Sequence, residues 1–316
     1  MMKICVAGEG AFGNKHLEAL RGVADVQVAV LVGGVADTTG QVAAKWGVPK
    51  WTLHLEEALV MPGIDAVILA TPTPIHAPQA IQCLNAGKHV LVEIPMADSL
   101  AASREMLRVQ KSSGLVGMVN HVRRFNPSHQ WIHQRIAAGD LSIQQLYAQI
   151  YFFRRTNLNA LGQPRSWTDH LLWHHACHSV DLFLYQTGQK PSAMFALQGP
   201  KHPALGIAMD MAIGLKVPSG AISTQSLSFN NDAPLGSVFR YICDNGTYVA
   251  RYDDLVDGYE KPVDLSGVAA STNGVELADR EFFAAIRENR EPNSSFAQAV
   301  ETMQVLDQLE KMAAAS

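Results

Sequence analysis

The stretch Ile4-Cys5-Val6-Ala7-Gly8-Glu9-Gly10-Ala11-Phe12-Gly13 decides the fold. Four consecutive apolar residues read as a strand buried on both faces, and the Gly-x-Gly-x-x-Gly spacing opens a helix-like stretch from Asn14 to Leu20. The first two glycines permit a tight bend and close approach of a pyrophosphate. Gly13 lets the helix pack against the strand, with its N-terminal amides aimed at the phosphates. After the first strand of a βαβ pattern, this turn predicts dinucleotide binding through Gly8, Gly10, Ala11, Phe12 and Gly13.

Working outward, short apolar strands alternate with amphipathic helices as far as Asn120. The strands are Lys3 to Ala7, Val26 to Val32, Ala66 to Ala70, His89 to Glu93 and Val116 to Asn120. The rhythm predicts an α/β fold, with a doubly wound parallel Rossmann sheet over residues 1–122. After Arg123 the stretches Gln144 to Arg155, Ser192 to Gln198, Gly206 to Val217, Ala221 to Phe229 and Val238 to Asp244 read as long strands. Pro218-Ser219-Gly220 and Asn245-Gly246 supply turns between them. Residues 123–316 are therefore expected to form a second α/β domain with an open, mostly antiparallel sheet, for substrate binding and oligomerisation. It also carries a helix from Asp169 to Gln186 and two closing helices, Glu276 to Glu288 and Phe296 to Met312.

With 316 residues, 47% of them hydrophobic, and a net charge of -4, the chain can bury two cores and has no electrostatic footprint for nucleic acid. No apolar run approaches the ~20 residues that span a bilayer, and no basic-then-apolar leader precedes the first strand. The scattered Cys5, Cys83, Cys177 and Cys243 suit a reducing cytoplasm better than a disulfide or zinc framework. The expected partners are small molecules and another copy of the chain.

The second strand ends Leu31-Val32-Gly33-Gly34, without the acidic residue that holds the ribose 2'-hydroxyl of NAD about 20 residues after the glycine turn. NADP is therefore the expected cofactor, with NAD kept open. A 2'-phosphate would rest on backbone amides at Gly33-Gly34 and hydroxyls such as Thr38 or Thr39, since no Arg or Lys lies between Arg21 and Lys45.

The glycine turn, Ala70-Thr71-Pro72-Thr73-Pro74-Ile75-His76, Glu93-Ile94-Pro95 and His178-Ser179-Val180-Asp181 together resemble the Gfo/Idh/MocA oxidoreductases. The resemblance spans nearly the whole chain. It implies NAD(P)-dependent oxidation of a carbinol, cofactor contacts at Thr71, Pro72, His76, Glu93 and Ile94, and subunit pairing as a dimer through the C-terminal sheet. The family pattern places a lysine where Ile94 stands and an aspartate where His174 stands. These departures, with the blocks His121 to His129, Tyr151 to Arg155, Pro164 to His175 and Ser228 to Asp232, resemble one branch of the family. That branch oxidises the cyclic hemiacetal of a dicarboxylate semialdehyde to a lactone in aromatic degradation.

A hemiacetal hydroxyl is more acidic than a simple alcohol, so an imidazole with a pKa near 6.5 can serve as base without the lysine. On an α-helix His174 and His178 project from one face, with Asp181, a further candidate for substrate binding, on the adjacent turn. His178 is the candidate base, and His174 its partner or a donor to the substrate; packing histidines are the bland reading. The spacing His170, His174, His178 also suits zinc, but hydride transfer needs no metal and a fourth ligand is not evident. Cys177, pointing about 100° from His178, is set aside as a nucleophile. Arg123, Arg124, Arg154 and Arg165 are candidates for the substrate carboxylates, because a guanidinium fork donates two parallel hydrogen bonds. A sugar or inositol dehydrogenase and a non-catalytic dinucleotide sensor are the alternatives.

Overall fold

The strands of the first sheet are β1 (Met2–Ala7), β2 (Val26–Val32), β3 (Trp51–Thr52), β4 (Ile64–Leu69), β5 (His89–Val92) and β6 (Gly117–Val119). They are parallel, in the order β3-β2-β1-β4-β5-β6. Between them run α1 (Ala11–Leu20), α2 (Ala36–Trp46), α3 (Leu55–Leu59), α4 (His76–Asn85) and α5 (Leu100–Ser113). The computed structural model describes residues 1–158, 162, 164–165, 167–271 and 274–315. Ile4 to Ala7, Ala66 to Leu69 and Val90 to Val92 are completely buried, as expected of strands covered on both faces. The strand order reverses between β1 and β4, which is where an open α/β sheet binds its ligand beyond the strand C-termini.

The chain divides into two compact units, Met1–His121 with Thr272–Val300, and Val122–Ser271 with Glu301–Ser316. The second unit is thus not the unbroken 123–316 that the change of rhythm suggests. The returning segment holds α8 (Glu276–Glu288), whose Phe282 and Phe283 are fully buried, and it pairs with the edge of β6 through Val119 N to Ser294 O at 2.9 Å. Two buried phenylalanines stabilise this docking by about 1.5–3 kcal/mol each.

In the second unit, α6 (Pro127–Ala137) precedes β7 (Ile143–Tyr151), and Leu171–Ala176 forms a π-helical stretch that runs into α7 (Cys177–Thr187). The remaining strands are β8 (Ala193–Gln198), β9 (Asp210–Lys216), β10 (Ile222–Ser228), β11 (Gly236–Cys243), β12 (Gly246–Arg251) and β13 (Asp254–Asp257). The sheet order is β13-β12-β11-β7-β10-β9-β8, with β7 and β10 parallel and the other pairs antiparallel. α9 (Phe296–Ala315) crosses the division at Val300. The turns at Pro218-Ser219-Gly220 and Asn245-Gly246 join β9 to β10 and β11 to β12.

Three expectations shift. The long strand ends at Tyr151 rather than Arg155, leaving a single bridge between Phe153 and Asn230. Helix α6 has no counterpart in the sequence reading, although Pro127 occupies its first turn. The histidine helix opens with π rather than α turns. Residues alternate along the second sheet, so that Leu146, Ile213, Leu227 and Phe239 are buried on one face while Phe195, Leu197 and Ile222 lie exposed on the other.

Candidate active site

Gly8 has φ +116°, and a Cβ there would meet the Ala70 carbonyl oxygen at 2.3 Å; one on Gly13 would meet Gly8 O at 1.8 Å. Only glycine permits strand ends and helix to approach this closely. Gly10, by contrast, faces open space, with no atom within 4 Å of where a Cβ would lie. It caps α1 without any side-chain acceptor, so the first-turn amides around Ala11 and Phe12 remain available. A pyrophosphate fits this cradle. Phe12 is exposed, with Lys15 Nζ 5.0 Å from its ring centre.

The end of β2 differs from the sequence expectation. Gly33 N donates to Thr52 O at 3.0 Å, and Thr39 Oγ1 donates to Val35 O at 2.7 Å. Gly34 N and Val35 N both donate to Glu9 Oε1, at 2.8 and 3.2 Å. Of the donors expected to hold a 2'-phosphate, Gly33 N, Gly34 N and Thr39 Oγ1 are thus engaged and Thr38 is half-buried, while a carboxylate of the first turn stands at this strand end.

Three further cofactor candidates are turned inward. His76 is buried, bridging Pro95 O at 2.9 Å and Thr71 O at 2.7 Å, so it clasps the loops after β4 and β5 instead of offering its ring to a ligand. Burial holds its pKa below the ordinary histidine value despite the two carbonyls. Thr71 donates to Gln79 Oε1 at 2.7 Å, whereas Pro72 is exposed and Ile94 half-buried. Glu93 accepts from His16 Nε2 at 2.9 Å and from Asn120 Nδ2 at 2.6 Å; it is 7% exposed. His16 Nδ1 lies 2.8 Å from Asp279 Oδ1. Burial alone would lower the pKa of His16, but Asp279 and Glu93 outweigh it and raise it to about 10. The motif glutamate is thus a member of a buried ion cluster.

In the second unit the arginine candidates separate. Arg124 is bidentate to Asp181, through Nε at 2.8 Å and Nη2 at 2.7 Å, and Thr302 Oγ1 donates to Asp181 at 3.0 Å. Asp181 is fully buried and Arg124 nearly so, and the two pair with each other. Arg123 is also packed away, over Tyr252 with its guanidinium carbon 4.7 Å from the ring centre and Nη2 3.4 Å from Ser237 Oγ. Arg154 and Arg165 instead converge on Asp169: Arg154 Nη2 bonds to Oδ2, and Arg165 Nη1 lies 3.1 Å away. Burial alone would raise the Asp169 carboxyl, but Arg154, His175, His174 and Arg165 together hold it below the usual range. One carboxylate between two guanidinium groups leaves the cluster net positive.

His174 stacks on Trp167, with ring centres 5.0 Å apart, and its Nδ1 accepts from His170 N at 3.0 Å. For a neutral ring, that bond places the proton on Nε2. His178 is half-buried in the first turn of α7. Because His174 lies in π turns and His178 in α turns, their shared face does not follow the simple four-residue rule; π turns of this kind are frequent at functional sites. His175 sits between Phe152 and Phe229, at 5.1 and 5.0 Å, where lost solvation lowers its pKa to about 4. Cys177 is buried. Glu9, His16, Asp169, His175 and Asp279 were given no site role by sequence reading; Glu9 alone lay in plain sight, inside the glycine turn.

A model of the oxidoreductase family with an NAD-binding Rossmann fold matches residues 2–121, and one of bacterial oxidoreductase C-terminal domains matches residues 127–269. The chain is 60% identical to 4-carboxy-2-hydroxymuconate-6-semialdehyde dehydrogenase of Sphingobium sp. (strain NBRC 103272 / SYK-6), over 98% of both chains. It is 28% identical to an inositol 2-dehydrogenase of Mycolicibacterium smegmatis, over 69% of this chain and 63% of that one. Among solved structures, levoglucosan dehydrogenase in complex with NADH has a TM-score of 0.87 at 20% identity, covering 99% of this chain and 97% of that one. UDP-N-acetylglucosamine 3-dehydrogenase from Acidithiobacillus ferrooxidans has a TM-score of 0.84 at 20% identity, covering 99% and 98%. These two share the fold.

Proposed function

The chain belongs to the Gfo/Idh/MocA oxidoreductases, and on that premise we propose that it oxidises the cyclic hemiacetal of 4-carboxy-2-hydroxymuconate-6-semialdehyde to 2-pyrone-4,6-dicarboxylate, in protocatechuate 4,5-cleavage. Similarity at 60% over the whole chain carries the reading. When bound, the nicotinamide supplies the acceptor for the hydride leaving the hemiacetal carbon. As the hydride leaves, the hydroxyl proton passes to His178 and the lactone carbonyl forms. His174, with Nδ1 committed to a backbone amide, donates from Nε2 to a substrate oxygen. Arg154 and Arg165, sharing one carboxylate, retain donors and positive charge for a substrate carboxylate. Ile94 in place of a lysine weighs against a sugar or inositol as substrate.

The cofactor is a nicotinamide dinucleotide. The end of β2 carries no acidic residue of its own, which favours NADP over NAD, and the ratio of NADPH to NADH dissociation constants tests that preference. Self-association as a dimer would cover the exposed face bearing Phe195 (51% exposed), Leu197 (55%) and Ile222 (38%), and sedimentation equilibrium reads that state. The cytoplasm, where free thiols such as Cys5 and Cys83 persist, is the proposed compartment.

The deciding experiment follows reduced-nicotinamide formation with the ring-cleavage semialdehyde of protocatechuate generated in the cuvette. His178→Ala is expected to lower kcat by about 10²–10⁴-fold. Absence of turnover in wild-type protein that still binds NADH would sink the dehydrogenase reading and favour a dinucleotide sensor.

A further inference from the structure

Asp169 joins the two guanidinium groups of its cluster at a single atom, Oδ2, which takes Arg154 Nη2 and Arg165 Nη1. Aromatic rings fix each fork from another side. The guanidinium carbon of Arg154 lies 5.0 Å from the ring centre of the fully buried Phe229, and that of Arg165 lies 5.3 Å from Trp167. Trp167 in turn stacks on His174, its plane 24° from that of the imidazole. Asn157 holds the loop leading to Asp169 by donating from Nδ2 to Trp167 O and to Thr168 Oγ1, each at 3.0 Å. Phe229, Arg154, Asp169, Arg165, Trp167 and His174 thus form one continuous run of contacts, with Asp169 at its middle. Within it, Arg154 Nε is buried and has no acceptor among the described residues.

A carboxylate set between two guanidinium groups acts on an anionic ligand in two ways of opposite sign. Its charge repels the ligand, whereas its hydrogen bonds hold two long side chains in one geometry and spare the ligand the entropy of ordering them. Asp169 is only 9% exposed, and its one oxygen is shared by both forks, an arrangement that fixes geometry. A guanidinium has five N–H donors, so each fork keeps others after bonding to Asp169. We propose that Asp169 is a positioning residue for the dicarboxylate substrate. It registers Arg154 and Arg165 with each other and, through Trp167, with His174, so that their remaining donors meet one substrate carboxylate together.

This inference rests on the proposed reaction, and calorimetric titration of 2-pyrone-4,6-dicarboxylate into protein loaded with NADPH or NADH separates the two. Asp169→Asn keeps an acceptor oxygen but loses the charge that holds both guanidinium groups. Kd for the dicarboxylate is expected to rise about tenfold, with the kinetic loss falling on KM more than on kcat. A carboxylate that acted only as a repelling charge would give tighter binding instead. Asp169→Glu keeps the charge but displaces it by one methylene, and is expected to weaken binding by about threefold or more. In a background of Arg165→Met, the Asn change should add less than about twofold, because it acts through that fork. Tighter or unchanged binding in the Asn variant overturns the proposal, and so does full additivity with Arg165→Met. A Glu variant equal to wild type also overturns it, and decides the matter alone if the Asn variant does not fold. Failure of wild type to bind the dicarboxylate removes the proposed reaction and this inference together.

Discussion

Two polar clusters, one in each unit, are built from the same kinds of group to opposite ends. In the first unit His16 sits between Glu93 and Asp279, and His16 and Asp279 are wholly excluded from solvent. One imidazolium faces two carboxylates, and Asn120 takes a further lone pair of Glu93. In the second unit Arg154 and Arg165 face Asp169, and their side chains keep 17% and 24% of their exposure. The first cluster is closed by protein groups and holds the returning segment with α8 against α1; the second has excess positive charge at a partly solvated place. Closure stabilises a fold, whereas an unbalanced, accessible charge is suited to bind something.

The largest expected effect breaks the closed cluster. His16→Ala leaves two buried carboxylates without their cation, a loss of about 3–5 kcal/mol. At roughly 2–4 °C per kcal/mol, calorimetry should record a fall on the order of 10 °C, whereas a shift under about 2 °C would mean that the cluster contributes little to stability.

A smaller effect is expected in the open cluster. Arg154→Met should reduce kcat/KM for the dicarboxylate by about 10–100-fold, chiefly through KM, with a change in stability of about 1 kcal/mol. If both Arg154→Met and Arg165→Met left KM unchanged, the cluster would be as structural as its counterpart.

The mildest test needs no change in activity, because the two clusters tilt the stability profile in opposite directions. His16 has its pKa raised from 6.5 to about 10, so its stabilisation is complete below pH 6.5 and is lost as pH rises towards 10. His175 has its pKa lowered from 6.5 to about 4, so the unfolded chain binds more protons in that window and stability falls as pH drops from 6.5 to 4. Denaturant melts across pH should lose the alkaline slope in His16→Gln and lessen the acid slope in His175→Phe. The same slopes in wild type and variants would refute these assignments.

Much of the architecture was legible because it depends on short periods and local turns. The run Ile4 to Ala7 followed by Gly8, Gly10 and Gly13 specifies strand, bend and helix within ten residues, and Asn245-Gly246 specifies a hairpin in two. The histidine helix was legible as a helix, but not its π turns, since one extra residue per turn leaves little trace in an apolar pattern. Arg124 and Arg165 looked alike as sequence. Only their partners, Asp181 and Asp169, distinguish a buried strut from an open donor.

By itself, then, the sequence determined the parallel sheet, the glycine cradle for a dinucleotide, the mostly antiparallel second sheet and the family. Only the tertiary structure decided that Glu93 and His76 face inward, that Glu9 reaches Gly34, and that His16 meets Asp279 across 263 positions. Backbone periodicity is imposed by neighbours in the chain and repeats every two to four residues. A charge's partner is chosen by burial, where an unpaired ion is costly, and that choice has no period in the sequence.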